Sequence, residues 1–291
     1  MKEFTDRLNK KRLTALLYTL IVYAFAILCA VSFIFMISDN VHLDFWIMPF
    51  FAVIFALLAF LANRLLLSKA KKDYEDDFKA NALKCLFEET VENSVFTDGK
   101  TDVGAFASQN VLNGIDKEHT EYAFRGSYEG TDFVSVFARD ENTFTGWMFE
   151  FTFSKQFKRD LQVRRKGSSL CVPPEQVWED GFSVYETQSE PFNFKYVVNS
   201  AVGVDAGAVM CEEAVYAFLS ATEKTRARIF ASFSGNKLYL FLQGVIPSYD
   251  IPLVSPVTET KLRRGLFSDI SAALTLALDL DTEKKIWKHK L

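Results

Sequence analysis

Two long uncharged stretches near the N-terminus constrain this chain more than any other feature. The first runs from Leu13 to Ser38, 26 residues without a formal charge, and the second runs from Phe45 to Asn63, 19 residues. A helix needs about 20 apolar residues to cross a bilayer, and in lipid its backbone polar groups must be satisfied within the segment. Three leucines at 65–67 extend the second stretch. The sequence therefore predicts a transmembrane helical hairpin over residues 1–68, with spans at about 13–38 and 45–67.

The charges that flank these stretches predict the orientation of the hairpin. The connector, residues 39–44, carries two aspartates and no lysine or arginine, whereas basic residues lie before the first stretch and after the second. The basic residues are Lys2, Arg7, Lys10, Lys11, Arg12, Arg64, Lys69, Lys71 and Lys72. Cytoplasmic flanks of membrane helices are enriched in such residues. We therefore predict a multi-pass protein of the cell inner (plasma) membrane, with both termini in the cytoplasm and the lipid bilayer as its first partner.

Two other kinds of protein segment could also contain long uncharged stretches of this kind. A cleaved signal peptide also begins with basic residues, but its apolar region has only about 7–15 residues, fewer than the first stretch. The stretches could instead be core helices of a soluble protein. The asymmetric charge pattern argues against that alternative.

The segment that follows the second stretch has the pattern of an amphipathic helix. Apolar residues recur there at spacings of three to four, which places them on one helical face. These residues are Tyr74, Phe78, Ala82, Cys85, Leu86 and Val91. No proline or glycine separates them from the second span. We therefore predict a helical stalk over residues 69–95.

The remaining chain, residues 96–291, alternates in the manner of β-strands and then becomes helical. Alternating runs are typical of half-buried strands, and they occur at 122–124, 133–137, 147–153, 195–198, 228–233 and 238–242. Helices are predicted from about Cys211 to Ala221 and after Pro256, with Ser255 as the N-cap of the latter. The sequence thus predicts an α+β cytoplasmic domain with an antiparallel or mixed sheet and helices on one face. Residues 167–180, which include two adjacent prolines, mark a possible internal break.

Composition excludes several functional classes. The four cysteines, Cys29, Cys85, Cys171 and Cys211, are far apart and form no CxxC pair, and the three histidines form no metal-binding motif. We therefore expect neither a metal nor another cofactor, and we assign no catalytic residue. The net charge of -4 argues against a nucleic-acid partner.

The loop at residues 201–212 is the only stretch that suggests an unfamiliar enzyme site. It is rich in small residues and lies between a predicted strand and a predicted helix, where backbone amides could approach a phosphate. It lacks the lysine of the phosphate-binding loop motif. A tight connection between strand and helix is the simpler interpretation.

A basic run is the candidate docking surface. Six cations lie within twelve residues of an otherwise acidic domain: Lys155, Lys158, Arg159, Arg164, Arg165 and Lys166. A tethered domain could use them to contact the anionic inner leaflet, at about 1 kcal/mol per cation, or a protein partner, and Phe157 could add an apolar contact. The alternative is a solvated loop and edge strand, where cations discourage pairing with other strands.

Three sequence blocks resemble a known family. They are Gly146–Phe157, Phe230–Phe233 with Leu238–Leu240, and Leu278–Leu280 followed by Ile286 and Trp287. In these blocks the chain resembles the bacterial domain-of-unknown-function family 3137, whose members are two-span membrane proteins, and it resembles a divergent member. The resemblance implies no activity, cofactor or substrate.

These observations together predict an uncharacterised, membrane-anchored cytoplasmic interaction or regulatory module with no recognisable catalytic site. Its partner would be an unknown protein or a second copy of the chain. The alternatives are an enzyme with a site around residues 201–212 and an accessory subunit of a membrane complex.

Overall fold

The chain forms two compact units in a computed structural model that describes residues 1–37, 47–140, 143–244 and 253–288. The first unit comprises Met1–Cys85 and Tyr249–Arg263, and the second comprises Leu86–Ser248 and Arg264–Leu291. The predicted connector at 39–44 lies outside the described residues.

The first unit is built from long helices. Helix α1 spans Lys2–Ile37, and α2 spans Ile47–Leu61 and packs against α1. A π-helical turn, Ala62–Leu67, joins α2 directly to α3, Ser68–Thr90. Two of the helices in the described residues are long and apolar enough to cross a membrane, and almost none of their apolar stretches is buried within the protein. That exposure distinguishes them from the core helices of a soluble protein, which bury their apolar faces.

The start of α1 is bound to α3 by ion pairs. Asp77 on α3 accepts from Arg7 at 3.1 Å and from Lys11 at 2.6 Å. Two of the cations used to predict the orientation are therefore also engaged within the protein.

A second set of contacts binds the start of α1 to residues 253–257. Asn9 donates to the Val257 carbonyl oxygen at 2.8 Å and accepts from the Val257 amide at 2.9 Å. Arg12 donates to the carbonyl oxygens of Leu253 and Val254, each at 3.1 Å. The late segment is therefore part of the first unit, although 241 residues or more separate it from its partners along the chain.

The second unit is built on a nine-stranded sheet whose strand pairs in the described residues are all antiparallel. The strands are β1 Glu92–Asp98, β2 Thr120–Tyr128, β3 Thr131–Arg139, β4 Thr145–Thr152, β5 Leu161–Arg165, β6 Phe182–Tyr185, β7 Tyr196–Ala201, β8 Arg228–Ser234 and β9 Lys237–Gln243. Their order is β1-β2-β3-β4-β9-β8-β5-β7-β6. The predicted α+β class and antiparallel sheet are confirmed.

Helices complete the α+β architecture. They are α4 Gly104–Ala107, α5 Pro174–Val177, α6 Glu190–Lys195, α7 Glu212–Lys224, α8 Glu259–Leu262 and α9 Ser268–Thr282. A π-helical turn, Arg263–Phe267, joins α8 to α9. The predicted N-cap Ser255 is wrong, because the helix begins at Glu259 and the Thr258 side chain accepts from the Lys261 amide.

One face of the sheet packs against α7 and α9 of the same unit. Trp147 and Phe151 of β4 point to this face, and Phe233 lies on it across β9. Phe218 of α7 contacts Phe233 with ring centroids 6.1 Å apart. Phe267, just before α9, packs within the same aromatic cluster. Helices α7 and α9 thus lie on one face of the sheet, as predicted.

The opposite face is covered by a short helix and a loop. Met148 points to this face, between Trp147 and Phe149 along β4. It belongs to a core that includes Phe106 of α4, Val111 of the following loop, and Phe241 of β9. The sheet is therefore buried on both faces, which explains why β4 and β9 read as nearly continuous apolar runs.

The helical part of the predicted stalk, residues 69–95, is shorter in the structure than expected. The helix continues without interruption from α2 through α3 and ends at Thr90, whereas residues 92–95 begin β1. Asn93 adopts a left-handed φ of 52°, which helical residues do not. The segment 167–180 lies inside the second unit.

Candidate functional site at the sheet edge

Strand β6 is one of the two edge strands of the sheet. It lies at the end of the strand order and pairs in continuous register with β7, from Phe182–Ala201 to Tyr185–Val198. The other edge, β1, carries an irregularity in register after Glu92. Bulges twist an edge away from new pairing, whereas a regular edge presents unpaired backbone donors and acceptors. Of the two edges, β6 is therefore the better able to accept another strand.

A groove lies beside β6 on the face that packs against α7 and α9. We refer to it as the helix-side groove, and its volume is about 430 Å³. Its lining residues are Tyr185, Thr187, Gln188, Ser189, Gly207, Met210, Cys211, Glu212, Val215, Tyr216 and Leu219. Tyr216 is 73% exposed there. The groove therefore offers an apolar ring together with polar groups.

Local hydrogen bonds fix one wall of the helix-side groove. Asn193 donates to the Thr187 carbonyl oxygen at 2.7 Å and accepts from the Thr187 amide at 3.0 Å. Ser189 caps α6 by accepting from the Phe192 amide. Hydrogen bonds between residues close in sequence therefore stabilise this wall without a ligand.

The predicted loop at 201–212 forms the other wall. Asp205 accepts from the Gly207 amide at 3.0 Å and so caps a 3-10 turn, Ala206–Ala208. A Cβ atom at Gly207 would lie 2.9 Å from the Tyr185 hydroxyl, so glycine permits this close approach. Burial raises the pKa of the Cys211 thiol, which is the opposite of an activated nucleophile. The loop shapes a groove rather than presenting a reactive group.

Three potential metal ligands meet near this wall. Ligand atoms of Cys211, Glu213 and Glu283 lie within 4.8 Å of one another. The Lys285 ammonium donates to the Glu213 carboxylate and holds its pKa down, at about 2. The lysine therefore already neutralises the more exposed of the two carboxylates.

A second groove lies on the opposite face of β5, β7 and β6. We refer to it as the arginine-side groove, and its volume is about 480 Å³. Its lining residues are Arg164, Arg165, Lys166, Gly167, Ser168, Cys171, Val172, Pro173, Pro174, Phe182, Val184, Val197 and Asn199. Val184 of β6 is 56% exposed. The open edge strand is thus flanked by a groove on each face.

Arg164 is buried at the base of the arginine-side groove, with 2% of its surface exposed. Its Nε donates to Gln162 Oε1 at 2.8 Å, and its two Nη atoms donate to the carbonyl oxygens of Val172 and Asn110. Its guanidinium lies 5.7 Å from the ring centroid of Trp178. Burial lowers the pKa of Arg164. No carboxylate of the described residues lies within ion-pair distance of it.

A chain of polar side chains fixes the position of Arg164. Gln162 Nε2 donates to the Gln109 carbonyl oxygen at 2.6 Å, and Ser232 donates to Gln109 Oε1 at 3.0 Å. Asn199 lies directly opposite Gln162 in the sheet and is 2% exposed. Within the part of the chain that the structure describes, Asn199 Oδ1 has no hydrogen-bond partner. This face therefore holds a buried cation with only neutral acceptors beside an acceptor without a donor.

The predicted basic run is divided by the structure. Arg164 is buried, and Arg165 points to the other face, 5.5 Å above the ring of Tyr196. Lys166 is exposed at the rim of the arginine-side groove. Of these three cations, only Lys166 projects into solvent in the way that a surface patch requires.

The first three cations lie at the other end of β5. Lys155 pairs with Asp281 at 3.2 Å, and the Lys158 amide donates to the Ile286 carbonyl oxygen. Phe157 is buried and offers no apolar contact to a bilayer. Because a strand rises about 3.3 Å per residue, the length of β5 separates these cations from Lys166 by roughly 13 Å or more. The edge-strand alternative is wrong, since β5 lies between β8 and β7.

Sequence reasoning missed β6 and the polar side chains behind Arg164. Two weak signals of strands were present in the sequence. In the first, which follows a glycine, Phe182 and Val184 alternate with Ser183 and Tyr185. In the second, Gln162 and Arg164 alternate with Leu161 and Val163. Both runs are only four or five residues long, at the lower limit of what periodicity can detect.

A family comparison matches the region that contains both grooves. Residues 142–282 match the family described as "Protein of unknown function (DUF3137)". The predicted resemblance to this family is confirmed. The matched residues extend from just before β4 to the end of α9, so they include β5, β6, β7 and both groove walls. The DUF3137 match supplies no activity.

Solved and curated proteins add little to this assignment. The structure shows a likeness to the "crystal structure of the mycobacterial trehalose monomycolate transport factor A, TtfA", at 10% sequence identity and a TM-score of 0.32. That match covers 55% of this chain and 73% of the other. No curated protein matches the chain.

Proposed function

We propose that this protein is a membrane-anchored cytoplasmic module that binds an extended segment of another protein. The segment would add to the sheet as a new strand beside β6. The observation that carries the proposal is a regular open edge strand with a groove on each face.

The anchor is the pair of apolar helices in the first unit. Their apolar stretches are exposed, and apolar surface of that extent is stable in lipid rather than in water. The basic residues in the N-terminal part of α1 and in α3 support an orientation with both termini on the cytoplasmic side of the plasma membrane. In that topology the second unit is cytoplasmic.

Strand addition uses both the backbone and the two grooves. Main-chain hydrogen bonds to the edge supply affinity, and pockets for alternate side chains supply specificity. Successive residues of a strand point to opposite faces. A segment beside β6 would therefore direct one set of side chains towards Tyr216 in the helix-side groove and the other set towards Val184 in the arginine-side groove.

The charges around β6 define the chemistry of the partner. Glu179 and Asp180 precede the strand and Glu186 follows it, and all three are exposed. A partner segment with lysine or arginine at both ends would complement them. An antiparallel pairing of β6 with a second copy would bring these acids against each other, which like-charge repulsion disfavours. We therefore favour a basic-flanked segment of another protein over a homo-oligomer.

The proposal can be tested with synthetic peptides and the full chain in detergent micelles. One peptide, Lys-Val-Thr-Val-Thr-Lys, carries basic ends, and its control carries glutamate at both ends. We expect the basic peptide to bind about tenfold more tightly, and a variant with E179Q, D180N and E186Q to reduce that difference. Hydrogen exchange should show new protection at residues 182–185.

The other edge of the sheet provides the matched control. Val95 of β1 is 52% exposed and Val184 of β6 is 56% exposed. A photocrosslinking residue at position 184 should capture the basic peptide, and the same residue at position 95 should not. Equal capture at both positions, protection confined to other segments, or self-association in place of peptide binding would overturn the proposal.

A further inference from the structure

We propose that the arginine-side groove binds a small molecule through a phosphate group. This inference is independent of strand addition at β6, because it rests on the buried polar groups of β5 and β7. Its ligand is defined by two chemical requirements, an anion for Arg164 and a hydrogen-bond donor for Asn199.

Arg164 provides the first requirement. A buried charge is stable only when it is paired and hydrogen-bonded, and the acceptors of Arg164 are all neutral. An arginine has five N–H donors, and four hydrogen bonds are described, from Nε, from Nη1 and twice from Nη2. One Nη1 donor thus has no described acceptor. Exposed Glu175 acts on Arg164 only at a distance.

The rim of the groove adds further donors for an anion. Lys166 is exposed there, and the next two residues, Gly167 and Ser168, also line the groove. Gly167 has a φ of 72°, and no atom lies within 4 Å of the place where a Cβ would be. A ligand can therefore approach the backbone at this position. Arginine and lysine together are a common combination for binding phosphate.

Asn199 provides the second requirement and distinguishes phosphate from a carboxylate. Its Oδ1 is a buried acceptor without a donor, and such a group costs free energy until it is satisfied. An ionised carboxylate has no donor to offer. Hydrogen phosphate, or a phosphate ester that carries a hydroxyl group, has both acceptor oxygens and an O–H donor. A single such ligand would satisfy both residues.

The geometry of the sheet allows one ligand to reach both side chains. Arg164 pairs with Val197, and Asn199 is two residues further along the same strand. Diagonal neighbours of this kind have Cβ atoms about 7–8 Å apart on the same face. The groove volume of about 480 Å³ lies within the range of small-molecule sites.

Inorganic phosphate is the first probe, titrated into the full chain in detergent micelles and followed by calorimetry. We expect saturable binding at one site, with Lys166→Gln weakening it about tenfold, as loss of a charged contact does. Lys158→Gln removes the same charge at the other end of β5 and should leave binding unchanged. Acetate should bind at least about tenfold more weakly than phosphate.

A second variant separates binding from folding. Asn199→Leu replaces the unsatisfied amide by an apolar group of similar shape, which should raise the melting temperature of the ligand-free protein. The same variant should weaken phosphate binding about tenfold. A variant that is more stable and still binds phosphate as the parent does would overturn the proposal, as would equal effects of Lys166→Gln and Lys158→Gln, equal binding of acetate, or no saturable binding.

The source of the phosphate group is tested in lipid nanodiscs. If the group belongs to a lipid headgroup, nanodiscs with phosphatidic acid should block the binding of inorganic phosphate, and nanodiscs of phosphatidylcholine alone should not. If the ligand is soluble, glycerol 3-phosphate should compete with inorganic phosphate in both kinds of nanodisc. A lack of competition in both arms would overturn the proposal, and peptide binding at β6 is measured separately.

Discussion

Phe157 stacks on Trp287 with their ring centroids 4.3 Å apart and their planes inclined by 23°. Phe153 packs against the same indole at 5.0 Å, and the Lys155 ammonium lies 5.4 Å above it. The sequence block that ends at Phe157 is therefore joined to the end of the chain by aromatic packing. This contact brings the block and the Ile286-Trp287 pair together in the fold, although they are distant in sequence.

Trp287→Ala should destabilise the second unit by about 3–5 kcal/mol, because it removes a large buried ring from this cluster. Trp287→Phe should cost less, since it keeps an aromatic ring and removes an indole N–H that has no partner in the described residues. Thermal and denaturant unfolding of both variants would test the difference. If phenylalanine were as damaging as alanine, ring packing would not be the source of the stability.

The long strands rich in aromatic and β-branched residues could be predicted from the sequence because their signal is local. β3, β4, β8 and β9 carry long β-branched and aromatic runs, and Gly235 lies in the turn of the hairpin between β8 and β9 with a φ of 60°. The helix predicted after Pro256 is also present and buries an apolar face that includes Ile270 and Ala277. Such elements depend on neighbours a few residues away, which a sequence pattern records.

The candidate site could not be predicted because its cause is distant in sequence. Arg164 reads as part of a basic surface run, yet it is buried by carbonyl groups from Val172 and Asn110, which belong to two other segments. The edge position of β6 likewise follows from the strand order of the whole sheet. Neither the burial of Arg164 nor the edge position of β6 can be recognised from the residues next to the site in sequence.

Gly146→Ala should destabilise the sheet severely. A Cβ at this position would lie 2.0 Å from the Leu242 carbonyl oxygen, and the φ of Gly146 is 154°. The β4 and β9 backbones must therefore move apart, at a cost of about 3 kcal/mol or more. The loss should appear as a lower melting temperature or as insoluble protein.

Gly130→Ala is the matched control for that substitution. Gly130 also has a positive φ, 81°, but a Cβ there meets nothing within 4 Å. Its cost should be only the backbone strain, about 1 kcal/mol. Similar melting temperatures for the two variants would argue against the close approach of β4 and β9.

Asn9→Ala should release the late segment of the first unit. It removes both hydrogen bonds between Asn9 and Val257, each worth about 1 kcal/mol. The two bonds together are worth about 2 kcal/mol, so amide exchange at Val257, followed by mass spectrometry, should accelerate by about 30-fold. Lys10→Ala, which changes an exposed neighbour, should leave that rate unchanged. Unchanged exchange in the Asn9 variant would show that the hydrogen bonds of Asn9 do not hold the segment.

The stability of the first unit should fall in acid because of Asp77. Burial raises the pKa of this carboxyl, but hydrogen bonds from Lys11 and Asn81 and the charges of Lys11 and Arg7 outweigh burial, so its pKa is lower than usual. A lowered folded-state pKa means that the fold favours the ionised form. The contribution is complete above the unfolded pKa, about 3.9, and is lost as the pH falls through the lower folded value.

Asp77→Asn should therefore lower the melting temperature at neutral pH and flatten its dependence on pH below about 4. The expected loss is about 1–2 kcal/mol, because Arg7 and Lys11 are partly exposed and solvent screens their charges. Asp76→Asn, at an exposed neighbouring position on the same helix, should leave the acid dependence intact. If both variants kept it, other carboxyl groups would be responsible. If only Asp77→Asn lost it, the ion pairs between α1 and α3 would be the acid-sensitive contact.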